Sequence, residues 1–254
     1  MQRPGRVYFH VVIICTAGEG LHEVDFTPVT LQPGRVVHVQ PGQVHRWRLG
    51  RSYEATILFF RDDDCAHLGS DGWPIGPRSF DLTEAERKRS GRLVRLMLDE
   101  YAIDRASESR SRALQGALQL LLVNLGLDQE HQSVMTHYPK PYTELMDQLE
   151  ADLGWSRSVK ERASRLGYSS RTLTRACQAA VGLTAKEVID SRVMLEARRV
   201  LVHPGSTVDA VARQPSFSEA SNFTKFFFRM TGENPESWRA RHTAGAGGAS
   251  GPVS

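Results

Sequence analysis

Two stretches of the chain are copies of one another. Residues 158–182, SVKERASRLGYSSRTLTRACQAAVG, align with residues 207–232, TVDAVARQPSFSEASNFTKFFFRMTG. Val159, Ala163, Tyr168 and Ser169 recur as Val208, Ala212, Phe217 and Ser218, each 49 positions on. After one inserted residue, Leu173, Cys177 and Gly182 recur as Phe223, Phe227 and Gly232, 50 positions on. A chain that carries one supersecondary unit twice must bury the apolar face of both copies, and that limits the fold more than any composition figure does.

Each copy reads as helix, tight turn, helix. In the first, Ser158 and Glu161 have capping-box spacing, Gly167 supplies a turn residue tolerant of positive φ, and Ser169 caps the next helix. At 100° per residue, Leu173, Ala176, Cys177 and Ala180 share one face of that second helix, and Arg171, Thr174, Arg175 and Gln178 the other. An apolar inner face with an Arg-rich, amide-bearing outer face suits a helix lying in a major groove, where Arg pairs with guanine and Gln with adenine. A lone unit of this kind reads better as an ordinary amphipathic surface helix. The repetition is what shifts the balance. In the second copy Phe223, Phe226, Phe227 and Met230 fall together as core, opposite Ala220, Ser221, Thr224 and Lys225, with Arg229 on the flank. Phe228 falls among the outer group without an explanation. Between the copies, TAKEVIDSRVMLEARRVLVH reads as one long helix with an apolar stripe of Val188, Ile189, Val193, Leu195, Ala197 and Val200. Arg192, Arg198 and Arg199 read as its solvated side. Such a helix would fix the separation of the two outer faces, and successive major grooves on one side of a duplex lie roughly 34 Å apart.

With these features, residues 143–242 resemble the DNA-binding domain of AraC/XylS-family transcription regulators. The resemblance rests on the SV…A…LG-Y-S…L-x-R unit, the connecting helix with LEAR, and F-S-x-x-S-x-F-x-K-x-F ending in TGENPESWR. It implies that Arg171, Thr174 and Arg175 face bases or phosphates in the first unit, and Ala220, Ser221, Thr224 and Lys225 in the second. The sequence departs from the family pattern in four places. Pro215-Ser216-Phe217 replaces the usual Leu-Gly-Phe turn, Phe228 stands where a basic residue is usual, Thr231 where an aromatic often packs, and Cys177 where Phe is usual. The second unit is therefore expected to read DNA weakly or non-specifically.

The charge distribution agrees. Residues 156–242 hold 15 Lys and Arg against 8 Asp and Glu, a balance of +7, whereas residues 1–155 balance at −4. A basic C-terminal third on a mildly acidic remainder suggests a polyanion-binding module joined to a partner domain.

The N-terminal half has a different grammar. VYFHVVII, HEVDF, RVVHV and YEATILFF are strand-like, with AGEG, QPG, QPGQ and RLGRS between them, which argues for a sandwich or barrel. From Asp81 the period becomes helical: Thr83 and Glu86 make a capping box, and Leu93, Leu96, Met97 and Tyr101 recur, followed by Leu114, Leu118, Leu121, Leu122 and Leu125. These stripes either cover the barrel or pair with a second subunit. The stretch His10–Trp47, with GEGLHEVDF, LQPGRVVHV and QPGQVHRW, looks like the cupin-type sensor domain attached to many such regulators. That resemblance implies a barrel whose mouth holds a small organic effector, with His10, His22, His38, His45 and Trp47 as candidate lining residues. Metal cupins use a His-x-His pair that this chain lacks, and a single imidazole on a strand is more often a satisfied core group than a ligand, so no metal and no cofactor are expected.

The expected organisation is α+β and multidomain. Residues 1–80 form a cupin-like β-barrel, 81–126 a helical dimerisation segment, 127–142 a linker, 143–242 an all-α domain with two helix-turn-helix units, and 243–254 a disordered tail. Three scattered cysteines give no disulfide framework and fit a reducing cytosol, and no apolar run is long enough to span a membrane. The leading expectation is a homodimeric, cytoplasmic, sequence-specific regulator, not an enzyme. Its partners would be promoter DNA, a small-molecule effector and RNA polymerase. The alternatives are a metal-dependent cupin enzyme fused to a DNA-binding module, and a ligand-independent DNA binder.

Overall fold

The computed structural model describes residues 4–48, 52–65, 78–102, 108–127, 138–152, 157–213, 217 and 220–243. Among the described residues, eight strands occupy the N-terminal part: β1 Gly5–Arg6, β2 His10–Gly18, β3 Gly20–Val24, β4 Thr27–Leu31, β5 Arg35–Val39, β6 Val44–Arg48, β7 Tyr53–Phe60 and β8 Arg78–Asp81. They form two antiparallel four-stranded sheets, ordered β1-β6-β3-β4 and β7-β2-β5-β8. Period-two alternation then gives each strand two destinations. From the second sheet, Val11, Ile13, Cys15, Val37 and Val39 point between the sheets to meet Val24, Val29 and Leu31 of the first. Val12, Ile14, Val36 and Phe60 point the other way, towards helices.

Those helices are α1 Glu84–Ala102 and α2 Glu108–Asn124. Thr83 and Glu86 exchange both bonds of the capping box that starts α1. Leu118, Leu121, Leu122, Leu125 and Leu127 pack on the outer face of the second sheet. The leucine stripe of α2 thus covers the barrel. Asn124 Nδ2 donates to Ser90 Oγ at 2.7 Å and ties α2 to α1.

HEVDF does not run on as a strand. β3 ends at Val24, and Asp25 and Phe26 form a two-residue turn into β4, with φ of 47° and 67°. A turn of this kind prefers Asn-Gly, and an aromatic side chain there costs about 1–2 kcal/mol. Contacts with the C-terminal part hold it in place. Phe26 lies edge-on to Trp238 at 4.9 Å and to His242 at 5.6 Å.

The C-terminal part comprises α3 Lys140–Ala151, α4 Val159–Arg165, α5 Ser170–Val181, α6 Ala185–Val202, α7 Val208–Ala212, α8 Ala220–Thr231 and α9 Pro235–Thr243. The stretch expected to be a linker ends inside this part: α3 starts at Lys140, and Tyr142 is fully buried. The repeat is structural. Ser158 accepts from the Glu161 N–H and Thr207 from the Ala210 N–H, so positions 49 apart cap α4 and α7. Gly182 and Gly232 end α5 and α8 at φ of 72° and 78°. One apolar core joins Tyr142, Leu145 and Leu149 of α3, Leu173 and Cys177 of α5, Val188, Ile189 and Val193 of α6, the α8 phenylalanines and Trp238.

Arg192 and Arg199 do not solvate α6, being only 2% and 5% exposed. Arg192 forks onto Glu150 at 3.1 and 3.0 Å, and Arg199 onto Asp25 at 2.8 and 2.6 Å, with Glu196 between them. The helix is enclosed on nearly all sides, so its polar face had to find carboxylates rather than water.

Candidate nucleic-acid interface

Helix α5 has the division that its sequence implies. Leu173, Ala176 and Cys177 are buried, while Arg171, Arg175 and Gln178 are exposed and Thr174 is half-exposed. Ser169 caps it by accepting from the Thr172 N–H at 3.0 Å. Among the described residues, neither Arg171 nor Arg175 pairs with a carboxylate. Two guanidinium groups, about one turn apart on a capped and rigid helix, are left pointing outward.

Helix α8 repeats the division with larger core residues. Phe223, Phe226 and Phe227 are buried, and Ser221, Thr224, Lys225 and Phe228 are exposed. Ala220 opens the helix, and its side chain lies outside what the structure describes, as do Pro215, Ser216 and Ser218 of the altered turn. Phe223 and Phe227 pack edge-on at 5.7 Å, and Phe227 meets Trp238 at 5.7 Å. Three consecutive phenylalanines therefore split into two core residues and Phe228, which is 57% exposed.

The two cations at the end of this face differ. Lys225 has no ion pair among the described residues. Arg229 reaches Asp190 of α6 at 3.2 Å and lies over the Phe226 ring. Asp190, 6% exposed, also takes Arg157 at 3.0 Å and Lys186 at 2.6 Å. Arg157 in turn stacks on Phe226 at 3.9 Å. One carboxylate on the connecting helix thus ties the lead-in to the first unit to the second recognition helix. Asp190 and Arg157 carry no motif, and sequence reasoning missed both. It also missed Arg162, fully buried against Gln148 and Asp152. Its only signal was an arginine at a core position of α4, beside Ala163.

The barrel candidates separate into two groups. His22, His45 and Trp47 come together between the sheets. His22 Nε2 lies 3.2 Å from His45 Nδ1, and its ring lies 4.3 Å from Trp47. Burial, then the neighbouring His45, pushes the His22 imidazole down to about 3. His45 and Trp47 are half-exposed, and Tyr53 stacks on Trp47, so this end of the space between the sheets is the candidate mouth. His10 and His38 lie on the opposite face of the other sheet, under the helices. His10 Nδ1 is 2.9 Å from His38 Nε2, and His10 Nε2 is 2.7 Å from Asp62 Oδ1. Burial foremost, with Arg78 and His10, holds His38 well below the usual imidazole range. The five were candidates for one mouth, and strand alternation keeps them apart: His10 and His38 share the face of Val12, Ile14 and Val36, which points away from it. Two adjoining cavities of about 480 and 650 Å³ lie on the helix side of that sheet, sharing Thr56, Val94 and Leu98.

Two matched helix-turn-helix units on one rigid helix, each with a polar and cationic outer face, define a bipartite DNA-binding protein. Residues 162–241 match the family model described as a helix-turn-helix domain. Over 244 residues the chain is 23% identical to the HTH-type transcriptional activator RhaS of Salmonella schwarzengrund, covering 91% of this chain and 85% of that one. RhaS of Shigella boydii is 22% identical over 240 residues, with the same coverage. Among solved structures, ToxT of Vibrio cholerae with bound unsaturated fatty acid is similar at 11% identity and a TM-score of 0.49, covering 97% of this chain and 92% of that one. The DNA-binding domain of AdpA in complex with a target DNA is similar at 25% identity and a TM-score of 0.38, covering 42% of this chain and 96% of that one. The chain is a DNA-binding transcription regulator whose C-terminal part carries a helix-turn-helix domain, and it is similar over most of its length to the RhaS activators.

Proposed function

We propose that this regulator reads promoter DNA chiefly through α5 and anchors through α8, and that a small organic effector at the barrel mouth modulates it. The observation that carries this reading is the pair of uncommitted guanidinium groups, Arg171 and Arg175, flanking Thr174 on α5, with Gln178 one turn on. Arginine forks onto guanine O6 and N7, which a short Ser or Thr cannot match. On α8, Ala220, Ser221 and Thr224 are short and discriminate weakly, and Lys225 suits phosphate. Transcription activation, as the name of the RhaS relatives states for them, belongs to the same reading, with RNA polymerase as a partner and a cytoplasmic location. Catalysis has no part in it.

Arg171→Ala is expected to weaken binding to a selected duplex by about 1–3 kcal/mol and to relax preference at one base pair. Lys225→Ala is expected to weaken selected and scrambled duplexes alike and to lower the salt slope by about one unit. Titrations of both variants against both duplexes at two salt concentrations test this. Loss of base preference from Lys225→Ala alone would make α8 the reader.

Assembly is proposed to be a homodimer through α1 and α2, where Leu96, Leu98, Tyr101 and Leu120 remain 53–71% exposed. Light scattering should give twice the chain mass, and Leu120→Glu should give a folded monomer whose melting temperature no longer depends on protein concentration. Leu118→Glu tests something else, because Leu118 is buried between α2 and the second sheet and its replacement should unfold that part. The two cavities beneath α1 offer a second location for the effector, which protection mapping with bound effector would distinguish from the mouth.

A further inference from the structure

Strands β3 and β6 each show one face to the barrel mouth and the other to the DNA-binding part. On the inner side stand His22 and Val24 of β3 and His45 and Trp47 of β6. On the outer side, Val44 belongs to the core of the C-terminal helices. Arg46 bonds Glu23 at 3.1 Å and reaches the His242 carbonyl at 3.5 Å. β3 then ends in the Asp25–Phe26 turn. Asp25, 6% exposed, takes the Arg199 fork and also accepts from Gln43 Nε2 at 2.8 Å and the Val44 N–H at 3.0 Å. Arg6 at the start of the chain reaches Glu196 of the same helix at 2.9 Å.

We propose that β3 and β6 transmit the state of the barrel mouth to DNA affinity, and that the buried Asp25–Arg199 pair is the contact through which they do so. The inference rests on the effector-responsive reading above and adds its route. A shift of His22 or Trp47 moves strands whose other faces grip α6 and α9. A forked carboxylate–guanidinium pair tolerates little displacement, unlike an apolar contact that slides. Packed interfaces respond to small shifts by changing between discrete arrangements. The partner of Asp25 sits on α6, the helix that sets the spacing of α5 and α8. The outward faces of α5 and α8 stay exposed while the parts are docked, so the transmitted quantity is the placement of α6 and not coverage of the reading surface.

The test is a double-mutant cycle on the full chain, with a duplex selected in vitro by the full chain. Trp47→Ala perturbs the inner face without any ligand, and Asp25→Asn with Arg199→Gln neutralises the pair. Trp47→Ala should change the dissociation constant about fivefold with the pair intact, and by less than about twofold with it neutralised. Hydrogen exchange of α6 and α9 amides should change with Trp47→Ala only when the pair is intact, a response that a merely stabilising pair would not give. Equal effects in both backgrounds, or no effect in either, overturn the proposal. If the neutralised pair fails to fold, Phe26→Gly, which suits the turn and removes the Trp238 contact, takes its place in the cycle with the same expectations. Failure of the unmodified chain to prefer the selected duplex over a scrambled one would instead overturn the regulator reading itself.

Discussion

Phe227→Ala should destabilise the DNA-binding part by about 3–5 kcal/mol, whereas Phe228→Ala, one residue on, should leave stability unchanged. Phe227 is fully buried between Phe223 and Trp238, and its removal opens a cavity that the ring-lined core of α8 and α9 cannot close by a side-chain rotation. Phe228 projects from the outer face, 57% exposed, and has no core to leave. Urea unfolding of the two variants measures the contrast. DNA titration adds a second one: Phe228→Lys should tighten binding to scrambled duplex by placing a cation near the backbone. A loss of several kcal/mol from Phe228→Ala would mean that α8 is rotated from the orientation described.

Acidification should strip stability from the barrel through His22. An unfolded histidine takes up a proton near its ordinary value of 6.5, but the buried His22 does so only at about 3. Between those values the unfolded state holds the extra proton. Stability therefore rises with pH across the window and is lost as pH falls from about 6.5, at about 1.4 kcal/mol per unit. His38, also held down by burial, adds in the same direction. The comparison is the slope of unfolding free energy between pH 6.5 and 5 for the full chain and for His22→Gln. The variant should lose about one proton's worth of slope, whatever its absolute stability. Equal slopes would show that His22 titrates normally and is not enclosed.

Much of the DNA-binding part was legible because its signals are local. Capping side chains act over three residues, the helical period sorts Leu173 and Cys177 from Arg171 and Arg175, and the repeat doubles every such signal. In the N-terminal part, β-branched and aromatic runs marked β2, β3, β5 and β7, whereas Thr27–Leu31 carries a proline and Val44–Arg48 alternates with charge, so neither stands out as a strand without its sheet partners. The histidines were grouped by type, whereas which face of which sheet each one occupies depends on strand pairing.

The sequence alone thus determined the two helix-turn-helix units, the helix between them, and which face of each recognition helix is core, because each depends on residues a few positions apart. Only the tertiary structure decided the fate of Arg192 and Arg199, the division of His22 and His45 from His10 and His38, and the turn at Asp25–Phe26. Those outcomes rest on partners such as Asp25 and Arg199, 174 positions apart, and no local periodicity encodes a pairing that forms only when two separately folded surfaces exclude water between them.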